Sequence, residues 1–216
     1  CCLLNDKLVP VTRLVSTPLV MVVNPSVPAN SVKDYVALAR SQPNQLTYAS
    51  GGNGAITQMV GELLKVTTGI QVREIPYKAI GAEFPDLIGG HVSTAFLAPV
   101  VIRDALKSGK LRGLGVAGPR RIALIGEVPT MAEAGFPTIE ATGWNGIFVA
   151  AGTPAPVIDR LQREIGGILK SKELVDDAAN IGYELGGERP EEFAGFVRGE
   201  IRKWGKVVQD AGIKIQ

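Results

Sequence analysis

Histidine is almost absent from this chain: His91 is the only one among 216 residues, so no multi-histidine metal centre can form and any His-based nucleophile must use that one side chain. Cysteine is nearly as scarce. Cys1 and Cys2 are adjacent at the start and cannot staple distant parts of a fold. Neither sign of charge is in excess: 23 Lys and Arg against 21 Asp and Glu leave +2, too little and too dispersed for a nucleic-acid or anionic-membrane surface. Long apolar runs are missing as well. The stretch 19–23 falls far short of the about 20 residues that span a bilayer. No leader peptide is visible, and the chain opens without Met, which fits a processed form or a piece of a longer protein.

What is present is a globular composition, 45% hydrophobic and 20% charged, with 26 Gly and 14 Pro available as turn punctuation. At about 150 residues per domain the length allows one or two domains with a real core. Apolar β-favouring runs alternate with helical patterns. Residues 13–24 read as a long strand, interrupted or bent at Pro18. Ser31 begins a helix with Asp34 in the reciprocal capping position. Strands follow at 46–50, 71–76, 92–97, 111–117 and 143–151, with helices from Ile56, near 82–88 and at 100–107 between them. Thr153-Pro154 reads as an N-cap and N1 proline before a helix reaching about Leu169. Pro190 opens a last helix whose Phe193, Phe196, Val197, Ile201, Trp204, Val207 and Val208 form an apolar stripe. Such alternation predicts an α/β fold with a mostly parallel sheet flanked by helices.

In such sheets ligands bind beyond the carboxyl ends of strands, where helix N-termini offer free N–H groups and a partial charge of about +0.5. Tyr48-Ala49-Ser50-Gly51-Gly52-Asn53-Gly54 is a strand, glycine turn and helix start of that kind. Its spacing lacks the Lys-Ser/Thr of a P-loop and completes no dinucleotide fingerprint, so it reads either as a tight structural turn or as an anion cradle with Ser50 and Asn53 as added donors. Ile75-Pro76-Tyr77-Lys78 ends the next strand, and for Tyr77 and Lys78 surface packing and a ligand wall stand even. His91 and the Arg120-Arg121 pair read as solvated turn residues, and Trp144 as a core or hinge aromatic.

These pieces carry a family resemblance. Asn24-Pro25-Ser26-Val27-Pro28, Leu46-Thr47-Tyr48-Ala49-Ser50-Gly51-Gly52-Asn53-Gly54, Gly61-Glu62-Leu63, Ile75-Pro76-Tyr77-Lys78, Asp86-Leu87-Ile88-Gly89-Gly90, Gly109-Lys110-Leu111-Arg112, Val128-Pro129-Thr130-Met131-Ala132-Glu133-Ala134-Gly135 and Ala151-Gly152-Thr153-Pro154 stand in the order seen in Bug-type substrate-binding receptors of tripartite tricarboxylate transporters. The resemblance runs from about Arg13 to the C-terminus. It implies a two-lobed, periplasmic-binding-protein-like fold, with residues 1–21 as a crossing part of the first lobe and hinge, 22–142 as the second lobe and 143–216 as the returning part of the first. The family's opening third is missing by that pattern, so the first lobe is expected to be incomplete.

The resemblance also implies a function: capture of a small organic carboxylate in the periplasm and its delivery to membrane permease subunits, with no chemistry, cofactor, metal, nucleic acid or direct membrane insertion. Carried over position by position, Ser50, Gly52, Asn53, Gly54 and Ala55 match the second-lobe ligand loop, and Tyr77 and Lys78 the next cleft-edge motif. Ala55 and Gln58 stand where many relatives have a hydroxyl residue and His, and Ser93 and Leu97 where Asp is frequent. Losing those acceptors is expected to favour plain or more apolar carboxylates over amino acids. Two alternatives remain at this stage: an enzyme using the turn as an anion site with Ser50 or Lys78 as nucleophile, which lacks an evident base, and a truncated fragment without binding activity.

Overall fold

A computed structural model of the chain describes residues 7–213; Cys1 and Cys2 lie outside them. The chain divides into two compact units, one made of the described residues through Thr17 with Gly143–Lys206, the other of Pro18–Thr142 with the residues from Val207 on.

In the second unit a five-stranded sheet runs in the order β4(Arg73–Pro76), β3(Thr47–Ser50), β5(Thr94–Leu97), β2(Val20–Val23), β6(Arg112–Val116). β3 is parallel to both β4 and β5, as the alternating pattern predicts. β2 is antiparallel to β5 and β6, so the sheet is mixed rather than mostly parallel. β2 is entered from β1(Leu8–Pro18), a strand of the other sheet, with no helix between them, so no strand–helix–strand crossover within this sheet leads into it. The strand expected at 13–24 is interrupted right after Pro18: β1 and β2 part at Leu19, whose N–H donates to Ala141 O and whose carbonyl accepts from Ala117 N. All four residues of β2 are fully buried, which is why its Val-Met-Val-Val run has no polar alternation.

Helices α1(Val32–Ser41), α2(Ile56–Thr68), α3(Phe84–Gly89) and α4(Pro99–Lys107) belong to this unit. Ser31 caps α1 by accepting from Asp34 N at 3.1 Å, while Asp34 Oδ2 accepts from Asn30 N rather than from Ser31. Asn24 closes α3: its Nδ2 donates to Leu87 O and Ile88 O at 2.8 and 3.1 Å, just before the left-handed Gly90.

The first unit holds a three-stranded sheet, β7(Thr142–Ala150), β1, β8(Glu184–Leu185), in which β1 and β8 are antiparallel. Its helices are α5(Ala155–Leu169), α6(Lys172–Asn180) and most of α7(Pro190–Asp210). Thr153 does not cap α5. Its hydroxyl donates back to Ala150 O at 2.8 Å, and Pro154 takes the cap position without a side-chain bond. Trp144, Phe148, Phe193 and Phe196 form an aromatic cluster, with Trp144 edge-on to Phe193 at 5.6 Å and the Arg13 guanidinium 4.6 Å from the Phe196 ring centre. The expected apolar stripe of α7 therefore serves packing at Phe193 and Phe196.

Candidate ligand-binding turn

The parallel register of β3 and β4 sets Ser50 opposite Pro76, so the segments that leave the two strands start side by side. Tyr77 N donates to Ser50 O at 2.8 Å, continuing the ladder into the turn. A Cβ on Gly51 would lie 2.6 Å from Ile80 Cγ1, and one on Gly52 would lie 3.2 Å from Tyr77 O. Gly52 and Gly54 also have φ of 92° and 79°, where a side chain is strained. The structure thereby brings together Ser50, Gly52 and Tyr77, as the motif spacing predicts for a close turn.

The hydrogen bonds of the turn differ from the sequence reading, which needs outward-facing glycine amides. Gly51 N donates to Thr57 Oγ1 at 2.8 Å, Gly52 N to Ser50 Oγ at 3.2 Å, Gly54 N to Gln58 Oε1 at 2.8 Å and Ala55 N to Gly52 O at 3.1 Å. Four amides are therefore satisfied by the chain itself. Ser50 is fully buried, and its own proton goes to Glu74 Oε1 at 2.5 Å, so its hydroxyl is held inside and is not presented as a nucleophile. Gln58 Nε2 donates to the other Glu74 oxygen at 3.2 Å.

Donors without such partners are found one step further on. Asn53 is exposed, and no side-chain hydrogen bond holds it among the described residues. The N-cap of α2 is Ala55, which has no capping side chain, and the helical ladder starts with Met59 N on Ala55 O. The amides of Ile56, Thr57 and Gln58 lack an i−4 partner in this helix, but Thr57 is fully buried and Gln58 buried, so only that of Ile56 lies in a partly exposed residue. Lys78 is exposed beside the same edge, and no ion pair holds it among the described residues.

Tyr77 is fixed rather than free. Its phenol donates to Asp86 Oδ2 at 2.7 Å, and its pKa is pushed up to about 12 by burial first, then by that hydrogen bond and charge and by Glu83. Fully buried Glu83 accepts from Gly81 N at 2.7 Å through Oε2, while Oε1 has no partner among the described residues. Behind the turn, Tyr48 donates to Glu62 Oε1 at 2.6 Å and Lys65 brackets the same carboxylate at 2.8 and 2.9 Å. Burial, Glu62 and Glu74 keep the Tyr48 phenol protonated well above its ordinary range.

Sequence reasoning missed Glu74, the carboxylate on which Ser50 and Gln58 converge, and gave Gln58 only as a departure from the family pattern. A carboxylate inside a four-residue strand was the available signal. Trp144 and His91 lie outside the turn, the first in the aromatic cluster and the second exposed after α3; Arg121 pairs with Glu133 at 2.8 Å. No group of three or more potential metal ligands occurs among the described residues. No helix of the described residues is long and apolar enough to cross a membrane.

The mixed α/β fold is that of periplasmic-binding-protein-like receptors, to which solved structures are similar over nearly the whole chain. The family model described as "Tripartite tricarboxylate transporter family receptor" (TctC) matches residues 4–213, and the chain belongs to that family. Protein BugT of Bordetella pertussis is 32% identical over 211 residues, covering 98% of this chain and 65% of BugT. The UPF0065 protein in the tcbD-tcbE intergenic region of Pseudomonas sp. (strain P51) is 29% identical, covering 93% of this chain and 60% of that protein. The chain thus spans less than two thirds of the length of these relatives. Among solved structures, R. palustris Rpa4515 with adipate superposes with a TM-score of 0.84 at 30% identity, over 96% of this chain and 69% of its own. MatC (Rpa3494) from Rhodopseudomonas palustris with bound malate gives 0.79 at 25% identity, over 93% and 69%.

Proposed function

We propose that this chain is the ligand-binding part of an extracytoplasmic solute receptor that captures a small carboxylate, without transforming it, and delivers it to a tripartite tricarboxylate-type permease. The two units stand for the two lobes, and the periplasm is the compartment this role requires. The observation that supports the reading most is the likeness, over nearly the whole chain, to a structure that carries adipate. The turn contributes through donors that the chain leaves unused: the Asn53 side chain, the Ile56 amide at the start of α2 and the Lys78 ammonium. Ser50, Gly52, Gly54, Ala55 and Tyr77 contribute by giving the turn its shape.

A planar carboxylate needs two to four donors and gains from the helix-end field. Calorimetric titration with adipate, malate and an amino acid tests the reading. Binding of a dicarboxylate in preference to the amino acid is expected, together with an about tenfold weaker affinity in Asn53→Ala, the loss of roughly one charge-assisted hydrogen bond. Unaltered affinity in that variant removes Asn53 from the site, and absence of binding to every acid in the unaltered chain overturns the reading.

A further inference from the structure

We propose that Glu74 is the positioning residue of the glycine turn: its carboxylate orients Ser50 and Gln58 so that they hold the Gly52 and Gly54 amides inward. The inference rests on the receptor reading only for its consequence to the ligand. The geometry is a relay with one polarity. Ionised carboxylates only accept hydrogen bonds, so both groups that meet Glu74 must turn a hydrogen towards it. Ser50 has one hydroxyl proton; once that proton lies on Glu74 Oε1, its oxygen can only accept, and it accepts from Gly52 N. Gln58 has one oxygen and one NH2; once Nε2 faces Glu74 Oε2, Oε1 must point the other way, and it accepts from Gly54 N.

One side chain on β4 therefore decides the direction of four hydrogen bonds that bracket Asn53 on both sides. Ser50 and Gln58, which hydrogen-bond to Glu74, are neutral, and the Tyr48 phenol, also neutral, faces the same carboxylate. The consequence for the ligand is selectivity. A tetrahedral dianion such as phosphate requires several convergent amides of the kind a P-loop leaves open. Here those amides are already engaged, and an ionised carboxylate stands behind them. The turn accordingly suits a flat carboxylate that needs only Asn53 and the Ile56 amide at the start of α2, and rejects phosphate.

The amide positions are read directly by residue-resolved hydrogen exchange on the full chain without ligand. In Glu74→Gln the new side chain keeps an oxygen for the Ser50 proton and turns its NH2 towards Gln58, whose amide must then reverse, so exchange at Gly54 is expected to rise about tenfold or more while Gly52 stays protected. Gly51, which is held by Thr57 and not through Glu74, is expected to keep its protection and serves as the internal control. The exchanged pair Glu74→Gln with Gln58→Glu restores an acceptor for Gly54 and a donor for the new carboxylate, and protection is expected to return, which loss of packing alone would not produce. Gln58→Ala is expected to release Gly54 only, and it decides the matter if Glu74→Gln does not fold. Unchanged exchange at Gly54 in Glu74→Gln or in Gln58→Ala overturns the proposal.

Titration with adipate and with inorganic phosphate is read separately. Adipate affinity is expected to fall in Glu74→Gln and recover in the exchanged pair, while the unaltered chain takes no phosphate at millimolar concentration; phosphate binding there overturns the selectivity. If the exchange pattern changes as expected but no form binds adipate, the positioning role holds and the receptor reading fails.

Discussion

Three of the four tyrosines are held neutral by their surroundings, and each does a different job. Tyr35 is fully buried against β5, where Thr94 Oγ1 donates to its oxygen at 2.8 Å; Tyr48 and Tyr77 donate to carboxylates. Burial is the largest cause of the rise in all three, and Tyr35 and Tyr77 reach about 12 from 10.0. A folded pKa above the unfolded one means that the stabilisation is complete below pH 10 and is lost as pH rises from 10 through 12. For buried Tyr35 alone the two-unit rise corresponds to about 3 kcal/mol. The urea midpoint is therefore expected to hold up to about pH 9 and then to fall with each step towards pH 12, with tyrosinate absorbance appearing late in the folded chain. A midpoint that stays constant to pH 11.5 contradicts this account.

At the scale of elements, α2 lies on β3 through a single small residue. A Cβ at Gly61 would collide with the Tyr48 ring at Cδ2, Cε2 and Cζ, so the Gly61-Glu62-Leu63 motif has two physical roles. Glycine admits the ring, and Glu62 receives its hydroxyl. Gly61→Ala is expected to lower stability by about 1–3 kcal/mol through overpacking, despite the better helix propensity of alanine. Chemical denaturation checks this, and a neutral or stabilising result shows that the helix can shift away from the strand at little cost.

The same elements show what the sequence makes legible. The strands and helices of the glycine-turn unit stand out because each combines a strong apolar period with a turn residue that has one reason to be there: Ser31 as a cap, Gly90 as a left-handed stop, Pro18 as a break. By contrast, α6 and β8 carry no pattern. Only Ala178 of α6 is buried, and β8 is two residues long, so neither imposes a period on the chain. The direction of β2 was equally hidden, since a fully buried strand looks alike in a parallel and an antiparallel ladder. At the turn, backbone shape was legible from Gly52 and Gly54. The destination of their N–H groups was not, because it depends on Glu74, a residue that only strand pairing brings near.

At the scale of the whole molecule, the two units differ in how much they bury. Val20, Met21, Val22, Val23, Phe96, Leu97, Leu114 and Met131 are at most 1% exposed in the unit with five strands, whereas no residue of β7 is fully buried in the other. Both tryptophans, Trp144 and Trp204, belong to that more open unit. Tryptophan emission is therefore expected to report a transition at lower denaturant than the amide-exchange protection of β2 and β5, since fewer enclosed apolar contacts hold the unit it reports on. Coincident transitions contradict unequal stability.

The placement of β2 has a consequence for the order of assembly. Val20 pairs with Leu97 on one side and Val116 on the other, so neither neighbour exists until about seventy residues beyond β2 have been made. During that interval the newborn Val-Met-Val-Val segment has two bare edges and high β propensity, the combination most prone to mispairing between chains. Both edges of this segment close only when the strands ending at Leu97 and Val116 have emerged.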